Sequence, residues 1–186
     1  KNYFDRDLKW KSSDPHPQTH AISSELQHNL GAVMCKLKLE ELIERDKLLR
    51  PGMIVVDLGA APGGWSQVVR RDLGSKGRVI AMDILDMPGI AGVDFIHGDF
   101  REDEAVSRLE ALIDGAAVDL VLSDMASNMS GVDSVDQARA MYLSELAVEF
   151  ADKHLKKGGN FLIKLFMGEG FDAYMKDLKT RYTKVI

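Results

Sequence analysis

One cysteine in 186 residues, Cys35, rules out an internal disulfide framework and fits a reducing compartment. No apolar run approaches the roughly 20 residues that a bilayer-crossing helix needs, and no charged-then-apolar leader opens the chain. A cytoplasmic protein without a membrane span is the expectation. Basic excess is lacking as well. Lys and Arg number 24 against 29 Asp and Glu, a net charge of −5, which weighs against a dedicated nucleic-acid binder. The deficit is uneven, because residues 1–50 hold 9 basic and 8 acidic side chains and the acidic excess lies wholly beyond them. A local basic patch can still grip phosphates on such a protein. There is no internal repeat and no low-complexity tract. His16, His20, His28, His97 and His154 show no metal-ligand spacing and Cys35 has no partner, so no metal is expected.

What is present suffices for one core, at 45% hydrophobic content. Residues 1–21 mix charges, Pro15, Pro17 and aromatics without periodicity and read as an irregular arm. Residues 22–186 read as a single domain, with a helical segment over 22–49 and an α/β sheet core over 51–186. Ile22, Leu26, Leu30, Val33 and Leu37 give the first its helical spacing, which Gly31 interrupts, and Pro51-Gly52 ends it. The pattern then predicts strands over 53–58, 78–83, 93–96, 118–123 and 160–166, and helices over 64–73, 102–114, 135–156 and 171–181. In the long helix Ala138, Tyr142, Leu146 and Phe150 fall four apart on one face, and Gly158-Gly159 stops it. Strands alternating with helices imply a doubly wound, Rossmann-like α/β fold with its ligand site at the carboxyl ends of the strands.

The richest stretch is Asp57-Leu58-Gly59-Ala60-Ala61-Pro62-Gly63-Gly64-Trp65. Small residues after a strand let backbone approach a ligand, and the helix that follows adds a favourable field. A pyrophosphate loop reads G-x-G-x-x-G, and this one does not. Asp57 is ill placed beside a diphosphate and suits a ligand with an ammonium group. Asp83, ending the second strand, is placed for a ribose diol. Asp99, after the third, is placed to accept a hydrogen bond from an adenine amino group. Any one of these acids alone reads better as a loop-capping or surface aspartate. Three at successive strand ends beside a glycine-rich turn point to a nucleotide site.

Lys164 stands in an otherwise apolar run, Phe161 to Phe166, an expensive place for a charge unless it emerges at a cleft. A snorkelling or edge lysine is the ordinary alternative. Lys38, with Met34 and Leu42 one turn to either side, reads as lying by the apolar face of its helix.

Asp57 to Ser66, Gly98-Asp99-Phe100-Arg101, Ser123-Asp124-Met125-Ala126 with Asn128-Met129-Ser130-Gly131, and Lys164-Leu165-Phe166 with Gly168-Glu169-Gly170 together resemble the FtsJ/RrmJ family, ribosomal RNA large-subunit 2′-O-methyltransferases. The resemblance runs from about Lys38 to Ile186. It implies S-adenosylmethionine as cofactor, held by Gly63, Trp65, Asp83, Asp99 and Asp124. It implies a ribose 2′-hydroxyl, of uridine in 23S ribosomal RNA within the large subunit, as the acceptor. It equates Lys38, Asp124 and Lys164 with three members of a Lys-Asp-Lys-Glu catalytic tetrad, Lys164 being the proton acceptor. A lysine base needs its pKa lowered by burial or a neighbouring cation, the part that falls to Lys38.

Three departures accompany the resemblance. Gly31 to Lys36 fill the place of an Arg-Ser-Arg-Ala stretch, removing two expected phosphate contacts. Ser127 replaces a proline. The chain stops at Ile186, before the closing strand pair that carries the glutamate, so a fold lacking that pair is expected, from a longer protein that is monomeric when whole. Two alternatives stay open: a cap-type mRNA 2′-O-methyltransferase, for which Tyr3, Phe4 and Trp10 only hint at a stacking site, and a non-catalytic cofactor- and RNA-binding module. A nicotinamide-dependent hydride-transfer enzyme fits least.

Overall fold

The computed structural model describes residues 36–125, 131–165, 167–168 and 170–186. The arm over 1–21, the helical spacing over 22–35 and residues 126–130 lie outside them. The chain opens with helix α1 (36–46) and continues as β1 (Ile54–Leu58), α2 (Gly64–Leu73), a 3-10 turn (Gly74–Lys76), β2 (Arg78–Asp83), β3 (Val93–His97), α3 (Asp103–Ile113), β4 (Val118–Ser123), α4 (Asp133–His154), β5 (Leu155–Ile163) and α5 (Phe171–Arg181). The five strands form one parallel sheet in the order β3-β2-β1-β4-β5.

Alternation along the central strands divides the core. Val55, Val79, Leu120 and Leu122 face a layer made by Leu39 and Ile43 of α1 and Val68, Val69 and Leu73 of α2. Val56, Leu58, Ile80, Met82 and Val121 face the other way, onto Leu109 and Ile113 of α3 and Ala147, Phe150 and Ala151 of α4. Both faces are covered, which is why these strands read as unbroken apolar runs. Each fully buried Leu, Ile or Val contributes about 1.5–3 kcal/mol relative to exposure. Helix α5 seats Tyr174 and Leu178 against Val148 of α4, with Phe161 and Ile163 of β5 packed beneath.

Two expectations from the sequence are corrected. Gly158-Gly159 does not stop the long helix, which ends at His154, and β5 begins at Leu155 rather than Asn160. Val118 pairs with Leu155 and Leu120 with Asn160, so β5 bulges between those partners. Gly158 supplies the left-handed backbone (φ 78) the bulge requires. On α4, the set Ala138, Tyr142, Leu146 and Phe150 is not one buried face: Phe150 is buried, Leu146 half-buried, and Tyr142 and Ala138 are exposed. Four residues advance an α-helix by about 40° more than a full turn. Three such steps carry the series from core to solvent.

Candidate active site

Hydrogen bonds continue the sheet one step past its strands. Gly98 donates its amide to the Asp83 carbonyl, Gly59 to Met82, Asp124 to Leu58 and Lys164 to Ser123, each at 2.9 Å. This row holds Asp124 and Lys164 side by side along the carboxyl edge, with Asp83 beyond β1 on the far side of Gly59. Gly59 lies where the loops after β1 and β4 cross: a Cβ there would stand 2.6 Å from the Met125 nitrogen. Any side chain would push the two loops apart.

Lys164 is the residue just beyond β5, not inside it, and its Nζ stands 2.9 Å from Asp124 Oδ1. The Lys164 side chain is 36% exposed and that of Asp124 22%, so the pair sits at the mouth of the edge. Burial pushes the Asp124 carboxyl up, its bond to Lys164 pulls it back, and the negative charge of Asp83 adds to the rise.

Asp57 is wholly buried in β1. Its Oδ2 accepts a 2.6 Å hydrogen bond from the Ser66 hydroxyl in the first turns of α2, while Oδ1 has no partner among the described residues. Burial pushes this carboxyl up to about 7, against the pull of Ser66 and with help from the charges of Asp124 and Asp83. A buried acceptor with nothing to accept is rare in folded proteins, and at a strand end it marks where a donor arrives.

The remaining expected cofactor contacts gather around this centre. Asp83 is half-buried and tied at both oxygens, accepting from the amides of Ala61 at 2.8 Å and Leu85 at 2.7 Å. It therefore shapes the glycine-rich loop as well as facing the site. Gly63 is buried and caps α2, and Trp65 packs half-buried beside Val68 and Val69. Asp99 is clamped by Arg101, whose Nε lies 2.9 Å and 3.0 Å from its two oxygens and whose Nη2 lies 2.5 Å from Oδ2. That guanidinium holds the Asp99 carboxyl below the usual carboxylate range. The sequence reading offered Asp99 to an adenine amino group and missed this partner, although two residues separate them in the chain.

Lys38 is not brought into the pair. It is exposed on α1, whose buried face is Leu39 and Ile43, and the reading that set it by the apolar face is corrected. The spacing from Lys38 to Leu42 had suggested otherwise, but the helix turns its adjacent positions 39 and 43 inward. The Asp57–Ser66 bond was also missed; its only trace in the sequence is an acid inside an apolar strand nine residues ahead of a hydroxyl.

Chemically, the unpartnered Asp57 oxygen and the Asp83 carboxylate are acceptors suited to an ammonium group and a diol, while the charge of Asp99 is already met by Arg101. The unpartnered Asp57 oxygen and this donor demand fit S-adenosylmethionine rather than a dinucleotide. Among the described residues, no group of three His, Cys, Asp or Glu is arranged to hold a metal ion, and no helix is long and apolar enough to cross a membrane.

Residues 34–186 match the family model described as FtsJ-like methyltransferase. Proteins named ribosomal RNA large subunit methyltransferase E from Stenotrophomonas maltophilia (strain K279a) and Xanthomonas oryzae pv. oryzae (strain PXO99A) are 67% and 66% identical over 148 residues, covering 80% of this chain and 70% of each relative. Among solved structures, a ribosomal RNA methyltransferase from Plasmodium falciparum superposes with a TM-score of 0.71 at 26% identity, over 78% of this chain and 84% of that one. A short-chain dehydrogenase from Francisella tularensis subsp. tularensis SCHU S4 shares the fold alone, with a TM-score of 0.54 at 14% identity over 69% of this chain and 63% of its own.

Proposed function

Because this chain belongs to the FtsJ-like methyltransferase family, we propose that it methylates a ribose 2′-hydroxyl, of uridine in large-subunit (23S) ribosomal RNA, in the cytoplasm, with residues 22–186 as its one catalytic domain. The observation that carries the reading is the Lys164–Asp124 pair at 2.9 Å, on the same sheet edge as the glycine-rich loop and its acids.

When bound, S-adenosylmethionine supplies an electrophilic methyl group on a sulfonium. Asp83 would accept hydrogen bonds from its ribose diol, Asp99 and Asp124 would hold the base and its surroundings, Gly63 and Trp65 would line the loop, and the orphan oxygen of Asp57 would accept from its ammonium group. A ribose hydroxyl is a weak nucleophile at neutral pH, so the chain must orient it and hold its proton. Lys164 Nζ is the group placed to do so, with Asp124 fixing its direction. That ion pair alone favours the ammonium form. A second cation nearby favours the neutral amine, the part that family membership gives to Lys38.

Two measurements test the assignment. Labelled methyl transfer is expected onto large ribosomal subunits in preference to free or capped RNA, with the label mapping to a ribose 2′-oxygen. Label on a capped end or on a base overturns the acceptor. Separately, Asp83→Ala should weaken cofactor binding in calorimetry by about 1–3 kcal/mol, through unpaired ribose hydroxyls and a loosened loop. Unchanged affinity sinks the cofactor site as drawn.

A further inference from the structure

Asp57 lies deeper than any other acid among the described residues, and the fold around it meets only one of its two oxygens. It shares the face of β1 that carries Val55, two positions earlier, and so points into the layer between the sheet and helices α1 and α2. From α1 that layer receives Leu39 and Ile43, and from α2 Val68, Val69 and Leu73, all apolar. Ser66, the third residue of α2, is as deeply buried and supplies a donor: its hydroxyl reaches Asp57 Oδ2 at 2.6 Å. Oδ1 receives nothing from the described residues. The two residues frame the glycine-rich loop, since Asp57 precedes it in β1 and Ser66 follows it in α2.

The nearby charges leave Asp57 with an unmet need. No cation among the described residues pairs with it, and the two charges that reach it from neighbouring strand ends, Asp83 and Asp124, are of its own sign. Burial and those two acids push the carboxyl up to about 7, while the Ser66 hydroxyl, with a weaker contribution from its backbone amide, pulls the other way. Ser66 is thus the group that favours the carboxylate where burial and two like charges favour the acid. A bond that merely stapled α2 to β1 would not need a charge on the strand, because two apolar side chains hold such a contact without an unmet oxygen. What the arrangement lacks is a cation delivered from outside to Oδ1.

Resting on the reading of that loop as an S-adenosylmethionine site, we propose that Ser66 is a positioning residue: it fixes Asp57 by Oδ2 and leaves Oδ1 to receive the ammonium group of the ligand. The same geometry links binding to a proton. Near neutral pH the empty site holds Asp57 partly as the acid. The incoming ammonium group needs the carboxylate, so the carboxyl proton leaves to solvent as the ion pair forms. Cofactor affinity should therefore climb with pH by up to about tenfold per pH unit, and stop climbing above about 7.

The test is calorimetry of S-adenosylmethionine binding to the whole purified protein from pH 5.5 to 8, in buffers of differing ionisation enthalpy. Wild-type protein should release about one proton per cofactor at pH 6 and few at pH 8, a measurement that needs no variant. Asp57→Asn should abolish the release. Ser66→Ala should move the climb in affinity upward by about one pH unit, binding about tenfold more weakly than wild type at pH 6 and within a few-fold of it at pH 8. In the Asp57→Asn background the same serine substitution should add no further loss. A serine that only supports the fold predicts a loss equal at every pH and retained in that background, and either result overturns the proposal. So does wild-type affinity in Ser66→Ala, cofactor binding without proton release, or release that survives Asp57→Asn; these leave the cofactor site itself standing. Absence of cofactor binding by the wild-type protein at every pH removes the site and the proposal together. The expected binding pattern without methyl transfer keeps the proposal and removes the proposed activity.

Discussion

Lys164→Ala is expected to fold and bind cofactor normally while losing methyl transfer by roughly 10²- to 10⁴-fold, the usual worth of a positioned proton acceptor. Lys164 sits beyond the end of β5 with 36% of its side chain exposed, so truncation opens no cavity in the core. Removing it leaves Asp124 without its cation. Burial already pushes that carboxyl up, and losing the lysine removes the contact that pulls it back. Lys164→Arg sharpens the result. Arginine can still pair with Asp124 but does not deprotonate in proteins, so it should be nearly as inactive as alanine. Single-turnover rates at saturating cofactor, with calorimetry and thermal melts, decide the matter. An arginine variant with near-normal rates would show that positive charge suffices and that Lys164 accepts no proton.

Asp57→Asn is expected to change how stability depends on pH. In the folded protein the Asp57 carboxyl is pushed up to about 7, against an ordinary value of 3.8. Between those values the native state keeps a proton that the unfolded chain has released. Stability from this group is therefore fully present below about pH 4 and is lost as pH rises through 7. At the limit the loss is on the order of 4 kcal/mol. Asparagine is neutral throughout, so the variant should lack this decline and become the more stable protein at pH 8. Asp99 and Glu110 act oppositely, because Arg101 and Lys153 hold them below the usual range and their contribution fades as pH falls. Both are present in wild type and variant, so the difference between urea-denaturation curves from pH 4 to 8 isolates Asp57. Parallel curves would mean that the buried carboxyl is charged in the native state after all.

Much of the architecture was legible because local and global signals agree. Strands 78–83 and 118–123 are buried on both faces, so their apolar runs end at the residues where pairing ends. The helix over 171–181 is bounded by Gly170 and matches its expected span. Legibility failed where tertiary contacts decide. Gly158-Gly159 carry the same residue types as a helix stop, and only the pairing of Leu155 with Val118 reveals a bulge instead. Lys38 and Leu39 are one residue apart, and which of them turns inward depends on where α1 lands on the sheet. In the site, Asp83 could be placed at a strand end from the pattern, Asp124 came with the resemblance, and Lys164 was read inside its strand rather than just past its end. The 2.9 Å approach of the last two could not be read there, because strand order and register bring them together across 40 residues of chain.

The row of amides that ties Gly98, Gly59, Asp124 and Lys164 to their neighbouring strands has a heritable consequence. Side chains on a strand alternate between faces, so losing or gaining one residue inside β4 would turn Asp124 to the opposite side and sever it from Lys164. Such a change could keep every apolar residue of the core and still leave no active pair. Length variation between α3 and β4, or in the turn after α2, moves nothing at the carboxyl edge. Drift among descendants of this chain should therefore tolerate insertions and deletions in the turns at the far edge of the sheet and exclude them from the strands that set the spacing of the catalytic groups.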